Sequence, residues 1–276
     1  FEVLSPPTKP LSIPIAIGEE TTAPEKILSI FMTARVGSTW LTHVMKATGL
    51  LGNPMEFFNT EIHAEGVCKQ YGIEHKGDFE RYLRGILSRS STHGVFSYQI
   101  NGYSADKLLE LGYLSPEFFT TSSAQTILLL RRDVVAQALS LLQARAKKTW
   151  ATVGDRPIQG QILDPDAIRE TADRFLDSER RVLTLFDKLP IQPLQISYYE
   201  DMVTQPDVFF TRLLAAIFGD SMPLETIAHR VIKALNQVSM KKILRAESSV
   251  NYVNFIQHHP EYANLLEQRK AHHTYT

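Results

Sequence analysis

A chain of 276 residues, 43% hydrophobic and 21% charged, is long enough for one large domain with a substantial core and too apolar to be disordered throughout. Lys and Arg total 29 against 30 Asp and Glu, a net charge of −1, so there is no general electrostatic case for nucleic acid or an anionic membrane as partner. Any anion site must be built locally.

Cys68 is the only cysteine, which rules out an internal disulfide and agrees with a reducing, cytoplasmic setting. No apolar run approaches the roughly 18 residues that a membrane span requires. The chain opens on Phe1, not methionine, and is expected to be part of a longer chain. Residues 1–24 carry Pro6, Pro7, Pro10, Pro14 and Pro24 without helical periodicity and read as a Pro-rich leader or linker ahead of a single domain over 25–276.

In chain order, Ile27 to Thr33 reads as a buried strand, followed by a helix from Ser38 to about Thr48 that stops at Gly49. Asp78 to Arg89 places Phe79, Tyr82, Leu83 and Ile86 on one helical face. Val95–Ile100 and Gln125–Leu130 read as strands, and Val134 to Ala146 as the helix after the second of them. Asp166 to Lys188 is a long amphipathic helix whose charge run reads as a solvated face. Leu194–Tyr198 is a further strand, and Pro206–Phe218 a helix with Thr204 as its expected cap. Strands alternating with helices predict an α/β fold, a three-layer sandwich around a central, mostly parallel sheet.

The most informative stretch is Ile27 to Leu41, a strand, a tight turn with one glycine, and a helix start. That order leaves the first helical N–H groups unpaired, and the helix adds roughly half a positive charge there, so the turn is a P-loop-like cradle for a phosphate or sulfate. Ser38 and Thr39 add hydroxyl donors, and Arg35 adds a guanidinium fork. The G-x-x-x-x-G-K-[ST] pattern of ATP and GTP enzymes is absent, which disfavours a nucleotide kinase. Taken alone, a glycine before Ser-Thr is also an ordinary helix start.

Two further segments tip that balance. Leu128 to Ser140 repeats the strand-to-helix design, with Arg132 at the strand exit and Ser140 about two helical turns later, so that the two can bracket one anion. Gly49 to Phe58 sets Glu56 between a Gly/Pro-rich turn and two aromatics, unusual company for a carboxylate.

In these three places the chain resembles the bacterial carbohydrate sulfotransferases of the trehalose 2-sulfotransferase type, over roughly residues 26–260. The R-x-G-S-T turn is Arg35 to Thr39, R-D-x-V-A-Q-A-x-S is Arg132 to Ser140, and T-G-x-x-G-x-P-x-E-F-F is Thr48 to Phe58. The resemblance implies that Arg35, Val36, Gly37, Ser38 and Thr39 grip the 5′-phosphosulfate of 3′-phosphoadenosine 5′-phosphosulfate (PAPS), and the N–H of Trp40 at the helix start is expected to join them. It implies that Arg132 and Ser140 hold the 3′-phosphate, and that Glu56 is the base. A late basic segment folds over the 3′-phosphate in such enzymes, and Arg245 within Lys241–Arg245 is the residue chosen for that role. Tyr199, Glu200 and Asp201 are read as structural. Val36 stands where the family usually has serine, at a cost of one neutral hydrogen bond, about 0.5–1.5 kcal/mol.

The reaction implied is in-line sulfuryl transfer from PAPS to a hydroxyl of a carbohydrate or glycolipid, with Arg35 and the cradle N–H groups stabilising the departing phosphate and no metal required. A homodimer is the assembly that the resemblance allows. The competing reading is a non-catalytic nucleotide-binding module. Asn59, Glu61, His63, Gln99, Asn101 and Tyr103 are acceptor-site candidates, with trehalose, a lipopolysaccharide sugar and a lipid-linked glycan all open. Trp40 and Trp150 read as core, and His43 as packed or at the surface.

Overall fold

The computed structural model describes residues 4–11, 24–74, 77–121, 124–147, 163–238 and 250–271. Strands β1 (Lys26–Met32), β2 (Val95–Ile100), β3 (Ala124–Leu130) and β4 (Gln195–Tyr198) pair in parallel in the order β2-β1-β3-β4. Parallel pairing demands crossovers, and helices supply them. Helices α1 (Ser38–Thr48), α2 (Thr60–Tyr71) and α3 (Phe79–Ser90) lie between β1 and β2. Helices α4 (Gly102–Glu110) and α5 (Glu117–Thr120) lead to β3, and α6 (Val134–Lys147) and α7 (Pro165–Lys188) to β4. Helices α8 (Tyr199–Thr204), α9 (Pro206–Phe218), α10 (Leu224–Gln237), α11 (Val250–His258) and α12 (Glu261–Ala271) follow.

Side chains along β1 alternate between faces, and both faces are covered. Ile27 and Phe31 pack with residues of α2–α5 and the second half of α7, including Val182 and Phe186. Leu28, Ile30 and Met32 pack against α1, α9 and α10. The result is the expected three-layer α/β sandwich. A third cluster joins α6, the first half of α7, α11 and α12 around Phe255. Among the described residues no helix is long and apolar enough to cross a membrane.

The bounds of β1, β3, β4, α3, α6 and α7 differ by one residue from those read in the sequence. Asp78 caps α3, its carboxylate accepting the N–H groups of Glu80 and Arg81. Thr204 does not cap α9: Gln205 holds that position without a side-chain bond, and the Thr204 hydroxyl donates to the Glu200 carbonyl 2.8 Å away. Thr204 is the last residue of α8, a short helix absent from the sequence reading, and a threonine inside a helix turns back on its own preceding turn. Of the Pro-rich stretch, Leu4 is buried in the core, its carbonyl accepting from the Tyr113 hydroxyl, and Leu11 bridges to Leu114.

Sheet order positions the site. The chain leaves β1 toward β2 on one side, then returns to add β3 on the other, so a crevice opens beyond the carboxyl ends of β1 and β3. In open parallel sheets this switch point is where ligands bind.

Candidate anion cradle and active-site cleft

The β1–α1 turn occupies that crevice. Gly37 has φ +79° and Arg35 has φ +68°, the left-handed region that non-glycine residues rarely adopt. A Cβ built on Gly37 would lie 2.6 Å from Cδ2 of Tyr199, so glycine is demanded by its dihedral and by the ring above it. The Gly37 carbonyl accepts the N–H groups of Trp40 (3.0 Å) and Leu41 (3.1 Å). The Trp40 N–H is therefore already spent in opening the helix. The N–H groups of Val36, Gly37, Ser38 and Thr39 have no hydrogen-bond partner among the described residues. Four donors at a helix N-terminus suit an anion.

The Val36 side chain is wholly buried in the core beneath α1, so only its backbone is available to the turn. The Trp40 ring is also core, meeting Phe210 edge-on at 5.7 Å between centroids.

The strand exit Arg131–Arg132 divides its two guanidinium groups between opposite sides, as strand alternation dictates. Arg131, 9% exposed, turns toward the cradle: its Nη1 donates to the Arg35 carbonyl (3.3 Å), and its guanidinium lies 4.7 Å from the Tyr199 ring centre. Arg132, 6% exposed, turns toward the β4–α8 corner, with its guanidinium 4.1 Å from the Tyr198 ring centre. There it forms a two-bond fork with Asp201, at 2.8 and 2.7 Å. The Glu200 carboxylate accepts the backbone N–H groups of Arg132 (3.1 Å) and Asp133 (3.3 Å). Tyr199–Asp201 thus order the second turn.

Ser140 meets Arg35, not Arg132: Nε of Arg35 donates to its hydroxyl oxygen at 3.0 Å. Burial first, and the Arg131 charge second, hold the Arg35 pKa below that of an ordinary arginine, against the effect of Tyr199. Gln137, fully buried one turn into α6, donates to Thr33 Oγ1 (2.8 Å) and the Ala34 carbonyl (2.6 Å), locking α6 to the cradle. Asp133 caps α6 by accepting the Ala136 N–H at 2.8 Å.

Glu56 reaches the same end of the sheet by a different route. Gly52, at φ +69°, passes so close to the Ser90 carbonyl that a Cβ would lie 2.7 Å from it. The chain then runs along β2: Met55 bridges to Tyr98, and its carbonyl accepts the Gln99 N–H at 2.9 Å. Phe57 and Phe58 are buried, and the Tyr82 hydroxyl donates to the Phe57 carbonyl at 2.7 Å. Glu56 between these anchors is half-buried, 3.4 Å from Asn59 Nδ2. It lines a cleft of about 350 Å³ with Thr39, Thr42, His43, Lys46, Asn53, Gln70 and Gln99.

Of the acceptor candidates, Gln99 lies in this cleft, Asn101 caps α4 through the Ser104 N–H, and Tyr103 is exposed on α4. Arg245 and Trp150, and the side chains of Glu61 and His63, lie outside the described residues. Arg131 and Thr42 also belong to the site, and strand alternation across Arg131–Arg132 and the three-residue helical step from Thr39 are the sequence signals that point to them.

No curated protein matches the chain. The solved structure of retinol dehydratase in complex with androsterone and the inactive cofactor PAP is similar at 13% identity and a TM-score of 0.45, covering 95% of this chain and 84% of that one. The sulfotransferase domain of the Synechococcus PCC 7002 olefin synthase is similar at 13% identity and a TM-score of 0.40, covering 87% and 96%. Residues 118–247, which contain Arg132, Ser140, Tyr199–Asp201 and Arg245 but neither the β1–α1 turn nor Glu56, match the model of the Stf0 sulphotransferase family.

Proposed function

We propose that this protein transfers a sulfuryl group from PAPS to a hydroxyl of a carbohydrate or glycolipid acceptor. The observation that carries the reading is that Glu56 lines one cleft with Thr39, the last residue of a turn whose four N–H groups have no partner among the described residues. A pure nucleotide binder has no use for a base at that place. The family match over residues 118–247 supports sulfuryl transfer as the chemistry.

In this reading the cradle from Arg35 to Thr39 takes the 5′-phosphosulfate, while Arg132, Ser140 and Arg245 serve the 3′-phosphate. The acceptor oxygen attacks sulfur in line with the bridging oxygen, the S–O bond to the 5′-phosphate breaks, and Glu56 takes the hydroxyl proton. Charge growing on the departing phosphate meets donors fixed before the reaction, where loss of one typically costs about 10²–10³ in rate. The cleft, at about 350 Å³, falls at the small end of ligand sites of roughly 300–1,000 Å³, and its Thr, His, Asn and Gln lining suits a polyhydroxylated acceptor. A cytoplasmic setting belongs to the same reading.

Thermal shift with adenosine 3′,5′-bisphosphate against ATP plus magnesium tests the donor. Ligand at about 100 times its Kd adds about 2.7 kcal/mol, and the bisphosphate is expected to give the larger shift. A mass-spectrometric screen for the gain of one sulfate over an acceptor panel tests the reaction. Binding without transfer to any member would favour a non-catalytic module.

A further inference from the structure

We infer that Arg131 is a positioning residue that turns the Arg35–Val36 peptide so that its N–H faces the bound anion. The inference rests on the donor reading above and concerns a side chain to which that reading gives no role. Arg131 is buried, and its Nη1 holds the Arg35 carbonyl at 3.3 Å. In a planar trans peptide the carbonyl and the next N–H point in opposite directions. Holding that oxygen toward Arg131 therefore aims the Val36 N–H away from Arg131, and this N–H has no partner among the described residues.

The peptide has reason to need holding. Arg35 sits at φ +68°, a conformation that costs a non-glycine residue and persists only when its surroundings impose it. Tyr199 completes the device: its ring lies over Gly37 on one side and meets the Arg131 guanidinium 4.7 Å from its centre. Gly37, the ring and Arg131 form one packed unit, which keeps the guanidinium from swinging away. With the Val36 side chain committed to the core, residue 36 has its N–H alone to offer a ligand.

The test compares two nucleotides that differ only at the 5′ end. Adenosine 3′,5′-bisphosphate and adenosine 3′-monophosphate are titrated by calorimetry into the full chain and into Arg131→Gln and Arg131→Lys. Both variants are expected to lose tenfold or more in bisphosphate affinity with the 3′-monophosphate unchanged, since lysine keeps the charge but not the planar fork that stacks and donates together. In the parent, the Val36 amide proton is expected to shift downfield in NMR spectra on adding the bisphosphate and to stay in place with the 3′-monophosphate. This measurement stands even if both variants fail to fold. Equal loss of both nucleotides, no loss of either, or an unmoved Val36 amide would overturn the role of Arg131. A parent that binds neither nucleotide would instead overturn the donor reading itself.

Discussion

Arg132 and Asp201 are joined by two parallel hydrogen bonds, Nη1 to Oδ1 at 2.8 Å and Nη2 to Oδ2 at 2.7 Å, with the arginine side chain 7% exposed and the aspartate 51%. A fork of the kind that grips phosphate is here engaged by a carboxylate. Asp201→Ala is expected to destabilise by about 1–3 kcal/mol, between the values for exposed and buried pairs. It is also expected to tighten adenosine 3′,5′-bisphosphate several-fold, by removing an internal competitor. Weaker binding would mean that Asp201 presents Arg132 to the ligand. Arg132→Ala should weaken the bisphosphate far more than adenosine 5′-monophosphate; equal loss for both would move the 3′-phosphate elsewhere.

Glu56→Gln keeps size and hydrogen bonding but removes the basic oxygen. Affinity for the donor should stay close to that of the parent, while sulfuryl transfer falls by about 10²–10⁴. Transfer within about threefold of the parent would rule Glu56 out as base. Attention would then pass to His43, which lines the same cleft.

Gly37→Ala places a methyl group 2.6 Å from Tyr199 Cδ2 and 2.9 Å from Met202 Cε at a backbone of φ +79°. Strain of this kind costs about 1–3 kcal/mol, and in a chain of this size each kcal/mol lowers Tm by roughly 2–4 °C. A Tm several degrees lower and weakened bisphosphate binding are expected. A variant with the stability and affinity of the parent would show that neither the left-handed turn nor the Tyr199 contact is needed.

Glu179 of α7 and Arg269 of α12 form a pair 10% and 12% exposed, at 2.9 Å. Burial raises the Glu179 pKa, and Arg269 opposes the rise. Arg269→Ala leaves the carboxylate without its partner, a change that costs about 3–5 kcal/mol at buried pairs. The sign with pH follows from the direction of the shift. Without Arg269 the folded carboxyl moves further above its unfolded value, so the native state binds a proton the more readily. The loss measured by denaturant should be largest above that raised pKa and shrink as pH falls through it. A loss independent of pH would mean that packing, not charge, is what Arg269 contributes.

Local chemistry in the chain was enough to find the β1–α1 turn. A β-branched run, one glycine and a Ser-Thr helix start are interactions among near neighbours, and periodicity placed β1 to β4 within a residue. The three-layer α/β fold followed from strands alternating with helices. The contacts that make a site of these parts are between residues far apart in sequence, and spacing alone does not give them. Arg132 and Ser140 stand eight residues apart in sequence, and the structure pairs Ser140 with Arg35 and Arg132 with Asp201. Strand alternation sends Arg131 and Arg132 to opposite sides, and what waits on each side depends on sheet order. Glu56 comes to the cleft because Met55 pairs with Tyr98 and the aromatics after it are buried, a register set by packing across the sheet. Helices and turns are encoded over a few residues, whereas the meeting of three loops at a strand end depends on which strands are neighbours.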